Sequence, residues 1–399
     1  MNSSPNAESL ANVVRLDDIQ RPANSPLVNY ALSGLRRCWM LEHGRWSHIY
    51  HLDGRSEPNQ SIPHSDVFYT LNVLLGLSRL KVIPDSIDVR GIFARNVSQL
   101  TMLPVAKYAY GMALWSGAEL QLDIPGHVVD RIDGLLSDRK SWRDLRAQDL
   151  GMLLTGAVAQ VRADEKRWLP FAHMLFVALT ERYHSTSGLF YNAATGLRRR
   201  FSSFASQTYL TLACYHYGEL TRNLHALGMA KECTRRLIEL QGPQGEWPWF
   251  YDALQGRVLD FYEVYSVHQY GMAPAFLECA ERHDVRGARN ALIKGFKWVL
   301  GHNQLRKSML VPGVQLSFRS QVRSAELHTN KRRALRAIGN SILRRDEHLI
   351  DPAGVGLRLE CRSYELGWIL WSFGKRSDLL ELTHDRAFAD ATRDTCLNS

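Results

Sequence analysis

The sequence has little that would commit it to a membrane, a metal or a nucleotide. No run approaches the ~18 apolar residues needed to span a bilayer. The six cysteines (Cys38, Cys214, Cys233, Cys279, Cys361 and Cys396) are scattered and form no CxxC pair. Reduced, packed thiols are therefore expected, with neither disulfides nor a zinc site. A Gly-rich P-loop, a GxGxxG after a strand, HExxH and GxSxG are all missing, which removes the usual nucleotide, zinc-protease and serine-hydrolase signatures. No metal or other cofactor is expected. The first residues, "MNSSPNAESLANVVRLDDIQRPANSP", lack the charged-then-apolar pattern of a secretory signal, so a cytoplasmic protein is expected.

Strand-type alternation is almost absent, and helical periodicity fills the space it leaves. "DVFYTLNVLLGLSRL" places Val67, Leu71, Leu74 and Leu75 on one face. "NLHALGMAKECTRRLIELQG" does so with Leu224, Leu227, Cys233 and Leu237, and "RGARNALIKGFKWVLG" with Ala288, Leu292, Phe296 and Val299. In order, the helical stretches pair: 28–41 with 64–80, 86–99 with 105–120, 127–137 with 142–161. The remaining pairs are 166–183 with 204–221, 223–240 with 261–281, and 284–300 with 363–374. Three connections share a theme: "GRWSHIYHLDGR" (Gly44–Arg55), "GLFYNAATGLR" (Gly188–Arg198) and "GEWPWFYDALQGR" (Gly245–Arg257). Each leads into a helix opening with Ser and Tyr. Repeated helix-loop-helix units bury their apolar faces only against neighbours, and six can close into a ring.

Six hairpins with aromatic G-x-W loops resemble the (α/α)6 toroids. That group includes the six-hairpin glycosidases, toroid polysaccharide lyases and sugar epimerases and, with related topology, terpenoid cyclases and prenyltransferases. The resemblance implies an all-α (α/α)6 toroid over residues 28–375, with long loops on one face and a basic helical insertion near 302–362. A polar flexible tail over 1–27 and a C-terminal extension over 376–399 would flank it. The absence of DxDD counts against a protonating cyclase.

In such a ring the outer-to-inner connections share one end, the mouth of a funnel. Those of hairpins 1, 4, 5 and 6 are long and contiguous around the ring, and long loops on a rigid scaffold are where binding usually resides. Trp46, Trp247, Trp249, Tyr251, Tyr265 and Tyr270 would then stack on sugar rings, or else clamp the loops to the ring. In "DFYEVYSVHQY", Glu263 is a candidate general acid and His268 its partner; the competing reading makes Asp260-x-x-Glu263 the capping box of the inner helix. Hydrolysis needs a second carboxylate. Asp252, Asp66 and Glu365 are the candidates, with helix-dipole and ion-pair roles as alternatives for the last two. A lyase would use Tyr265, His268 and Arg362, the last neutralising a uronate; an epimerase would pair His64 with His268.

The net charge of +9 is concentrated. From Arg319 to Arg345 there are eight Lys or Arg and one acid, Glu326. A local patch points to an anionic ligand or an acidic membrane surface rather than nucleic acid, with a plain solvated helix face as the alternative. Within it, Leu335, Ile338 and Ile342 form an apolar stripe, as in a helix packed like a lid on the rim. The expected activity is that of a glycosidase or lyase on an anionic oligosaccharide. The alternatives are a non-catalytic toroid binding a glycan or lipid-linked sugar, and one handling isoprenoids.

Overall fold

The structure, a computed structural model, describes residues 24–138, 142, 145–196, 198–326, 331–343 and 349–392. Most of the expected N-terminal tail, Arg344, Arg345 and Cys396 lie outside the described residues. The other five cysteines are free and buried.

Twelve helices alternate between an outer and an inner layer. The outer ones are α1 (Pro26–Cys38), α3 (Val89–Ser98), α5 (Gly126–Ser137), α7 (Leu169–Arg182), α9 (Leu224–Glu239) and α11 (Ala288–Val299). The inner ones are α2 (Pro63–Leu77), α4 (Lys107–Leu120), α6 (Ala147–Arg162), α8 (Phe204–Thr221), α10 (Ala273–Arg282) and α13 (Ser363–Phe373). Each inner helix packs on the next, and α13 closes on α2. The fold is the (α/α)6 toroid that the six pairs predict.

The layers follow from composition. Outer helices present one apolar stripe, such as Ala226, Met229, Ala230, Cys233 and Leu237 on α9. Leu224, expected in that stripe, is instead exposed, because it opens the helix just after its Asn223 cap. Inner helices are covered on every side, and in α13 all residues but Tyr364 are buried. Glycines let the inner backbones touch. A Cβ on Gly111 of α4 would lie 2.3 Å from the Met152 backbone of α6, and one on Gly156 would lie 2.4 Å from the Gly111 carbonyl.

The near-absence of strands holds for the ring but not for the loops above it. Three small sheets tie the long connections together. Ile49–His51 pairs with Asn59–Gln60 and with Glu360–Cys361, joining hairpins 1 and 6. Phe201–Ser203 pairs with Phe250–Asp252, which pairs with Arg257–Asp260, joining hairpins 4 and 5. Val264–Tyr265 pairs with Ser320–Arg323, and that strand with Val355–Arg358, joining 5 and 6. The four long loops are thus one continuous wall, in the order 4, 5, 6, 1.

This wall corrects one helix boundary. Asp260 ends a strand and Glu263 precedes another, so the two do not form a capping box. The inner helix begins at Ser266 and passes through a π-turn at His268–Met272 into α10. Alternation is hard to see here because the strands are only two to four residues long.

The insertion carries α12 (Lys331–Leu343), which lies against the strand Arg257–Asp260. Of the expected stripe, only Ile342 can be placed, and it does not face the docked side. Ala337 and Ser341 are buried, whereas Ile342 is 74% exposed; the side chains of Leu335 and Ile338 lie outside the described residues. Hydrogen bonding sets the choice of face. Asn340 Nδ2 donates to the Leu259 carbonyl (3.1 Å), and Ser341 Oγ donates to Asp252 Oδ2 (3.0 Å).

Candidate functional site

The sheet joining hairpins 5 and 6 aligns Tyr265, Ser320 and Arg358 side by side across three strands. All three donate to one carboxylate, Glu263. Arg358 Nε reaches Oε1 at 2.7 Å, the Tyr265 hydroxyl reaches Oε2 at 3.2 Å, and Ser320 Oγ also donates to Oε1. Burial pushes this carboxyl up, but the Arg358 hydrogen bond and the charges of Arg319 and Arg358 outweigh it and hold it below its usual range. Glu263 is therefore held as a clamped carboxylate.

Glu365 behaves in the opposite way. It sits in the first turn of α13, fully buried. It accepts from the Tyr270 hydroxyl at 3.0 Å and faces Arg319 at 3.4 Å. Burial pushes its carboxyl up to about 8, with Arg319 opposing, so it holds a proton at neutral pH. Arg319 also meets Glu360 at 3.3 Å, and Glu360 in turn pairs with Arg362 at 2.8 Å. Arg319, Arg358 and Arg362 stand against Glu263, Glu360 and a protonated Glu365.

Two histidines flank this cluster. His268 packs on Phe204 (4.5 Å between centroids) and Tyr265 (5.1 Å). His48 stacks flat on Tyr69 of α2 at 4.6 Å, and Tyr69 lies 4.5 Å from Tyr364 of α13. Burial lowers the imidazole of His48 to about 3, with help from Arg362 and Arg319; burial and then Arg319 lower His268 to about 3. Both rings are neutral, and the Nδ1 of each is buried without a hydrogen-bond partner among the described residues. A buried, unpartnered nitrogen is uncommon in a native fold and calls for an explanation.

Most of the remaining expected residues fall elsewhere. Trp247 and Tyr251 do not line the mouth. Both are fully buried, and Trp247 packs between Phe204 and Phe276. Trp46 is buried too, its Nε1 donating to the Leu35 carbonyl at 3.0 Å. These rings clamp loops to the ring because short strands alone give them little apolar cover. Trp249 is half-buried and stacked on Phe250, and Tyr270 is buried, its hydroxyl shared between Ser317 and Glu365.

Asp252 is buried. Its partners are Arg200, Ser341 and the amides of Leu254 and Gln255, which fold the hairpin turn. Asp66 accepts from Ser61 and the Ile62 amide at the start of α2; burial raises its carboxyl, with those bonds opposing. His64 is exposed in the first turn of α2. The structure thus gathers Glu263, Tyr265, His268, Tyr270, Arg362 and Glu365; Asp66, which accepts from the His48 amide, and His64, whose charge bears on His48, lie at the edge of the same cluster, while Trp46, Trp247 and Asp252 are held elsewhere. Sequence reasoning passed over His48, Arg319, Tyr69 and Tyr364. His48 lies within the repeated aromatic loop "GRWSHIYHLDGR", and that repeat was the available signal.

A separate apolar cleft of about 480 Å³ lies outside the ring between α1 and α3, lined by Leu35, Trp39, Ile87 and Ile92 among others. It contains none of the clustered residues.

No protein-family model matches the sequence, and no curated protein matches it. Solved structures match in fold. A cellobiose 2-epimerase from Bacillus thermoamylovorans superposes with a TM-score of 0.60 at 10% identity, over 86% of this chain and 96% of its own. A sugar epimerase from a ruminal bacterium gives 0.58 at 8% identity, over 88% and 97%. An inactive variant of an α-1,6-mannanase of Salegentibacter sp., in complex with α-1,6-mannotriose, gives 0.52 at 13% identity, over 88% and 98%. At these identities the likeness is one of fold: this chain is an (α/α)6 toroid.

Proposed function

We propose that the protein is a carbohydrate-active enzyme that moves a proton next to the carboxylate of a uronate-type sugar. The observation that carries this reading is the pair of neutral histidines, each with a buried Nδ1 that has no hydrogen-bond partner among the described residues, both lying within the field of the buried Arg319. A sugar carboxylate seated on Arg319 and Arg362 would have its charge neutralised, which makes the adjacent C–H more acidic. It would also cancel the positive field that depresses His48 and His268, so their proton affinity rises when substrate binds. One imidazole can then take the proton. The other can return it from the opposite side, giving an epimer; expulsion of the neighbouring glycosidic oxygen instead gives an unsaturated sugar. Tyr69, Tyr364 and Tyr265, which pack on the two histidines and on one another, would border the sugar.

A hydrolase is the second reading, favoured by the proton held on Glu365. The clamped state of Glu263 leaves that proton without a free carboxylate partner at the same place, and hydrolysis in the usual form requires two.

The test is incubation in heavy water with uronate-containing and neutral oligosaccharides. Deuterium next to the carboxylate, or ultraviolet absorbance from an unsaturated product, is the expected outcome. His48→Asn and His268→Asn should each lower the rate by roughly 10²–10⁴-fold with little change in melting temperature. Simple hydrolysis without deuterium uptake would establish the hydrolase, and binding without turnover the non-catalytic toroid.

A further inference from the structure

The cleft between α1 and α3, about 480 Å³, has no part in the proton chemistry, yet its size falls within the roughly 300–1,000 Å³ of small-molecule sites. Its wall on α1 is Leu32, Leu35, Arg36 and Trp39. That i, i+3, i+4, i+7 spacing puts them on one helix face and stretches the cleft over two turns, about 10 Å. Ile92 of α3, Ile87 before it and Trp46 complete the apolar lining. The indole nitrogen of Trp46 is already taken by the Leu35 carbonyl, so that ring adds only apolar surface.

The cations of the cleft gather at one end. Arg36 belongs to the last turn of α1 and Arg95 to the last turn of α3, the end from which the long loops leave. Arg95 folds over the hairpin Trp39–Trp46, where a Cβ on Gly44 would collide with its Nη1. Neither guanidinium has a carboxylate or a carbonyl acceptor among the described residues. The nearby acids are engaged elsewhere. Asp88, in the wall at the opposite end, caps α3 by accepting from the Gly91 amide at 2.9 Å. Glu42 pairs with His43 at 3.3 Å, and the charge of Asp66 bears on Arg45. The cleft is therefore aliphatic along its length and cationic at one end.

We propose that this cleft binds a single-chain amphiphile with an anionic head, of the fatty-acid kind. The hydrocarbon chain lies against Leu32, Leu35, Ile87 and Ile92, and the carboxylate meets Arg36 and Arg95. Charge complementarity selects this occupant over the others. A neutral hydrocarbon would leave the two guanidiniums unmatched. A sugar would find no partners for its hydroxyls along the aliphatic wall, and a peptide segment would bring backbone N–H and C=O groups that the wall cannot pair.

The experiment is calorimetric titration of the full chain with decanoate and with decyltrimethylammonium, each below its micelle concentration. Decanoate should fill one site and raise the melting temperature. The cationic amphiphile should bind more weakly by about tenfold or more, and Arg36→Gln/Arg95→Gln should remove that preference. Ile87→Trp, which fills the cleft from a half-buried position, should abolish decanoate binding while the free protein melts as before. No binding of decanoate, equal affinity for the two head groups, or decanoate binding that survives Ile87→Trp would overturn the proposal. Sedimentation of the same proteins tests the remaining occupant: a dimer that Ile87→Trp dissociates would assign the cleft to a second copy of the chain and overturn it too. None of these readings requires turnover, so they stand apart from the uronate chemistry.

Discussion

At the scale of single residues, environment rather than identity separates the roles of two glutamates. Glu263 and Glu365 are both buried, yet one is held ionised by Arg358 and the other holds a proton. The second state has a measurable consequence. The Glu365 carboxyl is raised from about 4.5 unfolded to about 8 folded. Between those values the folded protein binds a proton that the unfolded chain has lost, so this group's contribution makes stability fall as pH rises through the window. Above about pH 8 the loss is complete. Glu365→Gln removes the titration at nearly constant shape. Thermal melts at pH 5 and pH 8 should show the parent losing more stability across that interval than the variant. Equal losses would mean that Glu365 is ionised in the folded state.

At the scale of elements, the inner ring depends on how closely neighbouring helices approach. Gly111 and Gly156 place the α4 and α6 backbones in direct contact, a spacing that any side chain would prevent. Gly76 and Gly367 do the same between α2 and α13, where a Cβ on Gly76 would lie 2.3 Å from the Gly367 carbonyl. Helical Gly→Ala changes ordinarily stabilise by about 0.5–1 kcal/mol. Here overpacking of about 1–3 kcal/mol should dominate. Gly111→Ala is expected to lower the denaturant midpoint, whereas Gly134→Ala on α5, with nothing within 4 Å of its added Cβ, should not.

At the scale of the whole molecule, acid is expected to open the ring. Burial holds His48, His216 and His268 neutral, each lowered to about 3 from 6.5. Unfolding frees all three to bind protons once pH drops below about 6.5. The unfolded state then holds more protons, and these groups withdraw stability progressively down to about pH 3. Far-UV circular dichroism should report a helical signal that melts at falling temperature over that range. A melting temperature flat from pH 6.5 to 4, in a variant with Glu365→Gln to remove the opposing carboxyl, would show that the imidazoles are already charged.

The ring was legible because its signal is repeated. Six amphipathic outer helices, six helices apolar on all sides, and glycines at their ends specify hairpins that bury their faces only against one another. Val67, Leu71, Leu74, Leu75, Ala288, Leu292, Phe296 and Val299 all proved buried as their spacing predicts. The long loops were legible for the same reason, since they interrupt a periodic pattern. The arrangement within those loops was not. Strands of two to four residues leave no usable period, and their partners come from other hairpins, so Tyr265, Ser320 and Arg358 meet on Glu263 from three separate stretches of chain. Which aromatics are fully buried was equally a tertiary matter: Trp247 is closed in by Phe204 and Phe276, whereas Tyr69 and Trp249 are half-buried. The sequence by itself determined the toroid and the end at which its long loops gather. The fold alone decided which charges face inward, because the state of a carboxyl or an imidazole is set by burial and by neighbours distant along the chain, as Arg319 shows between His48 and His268.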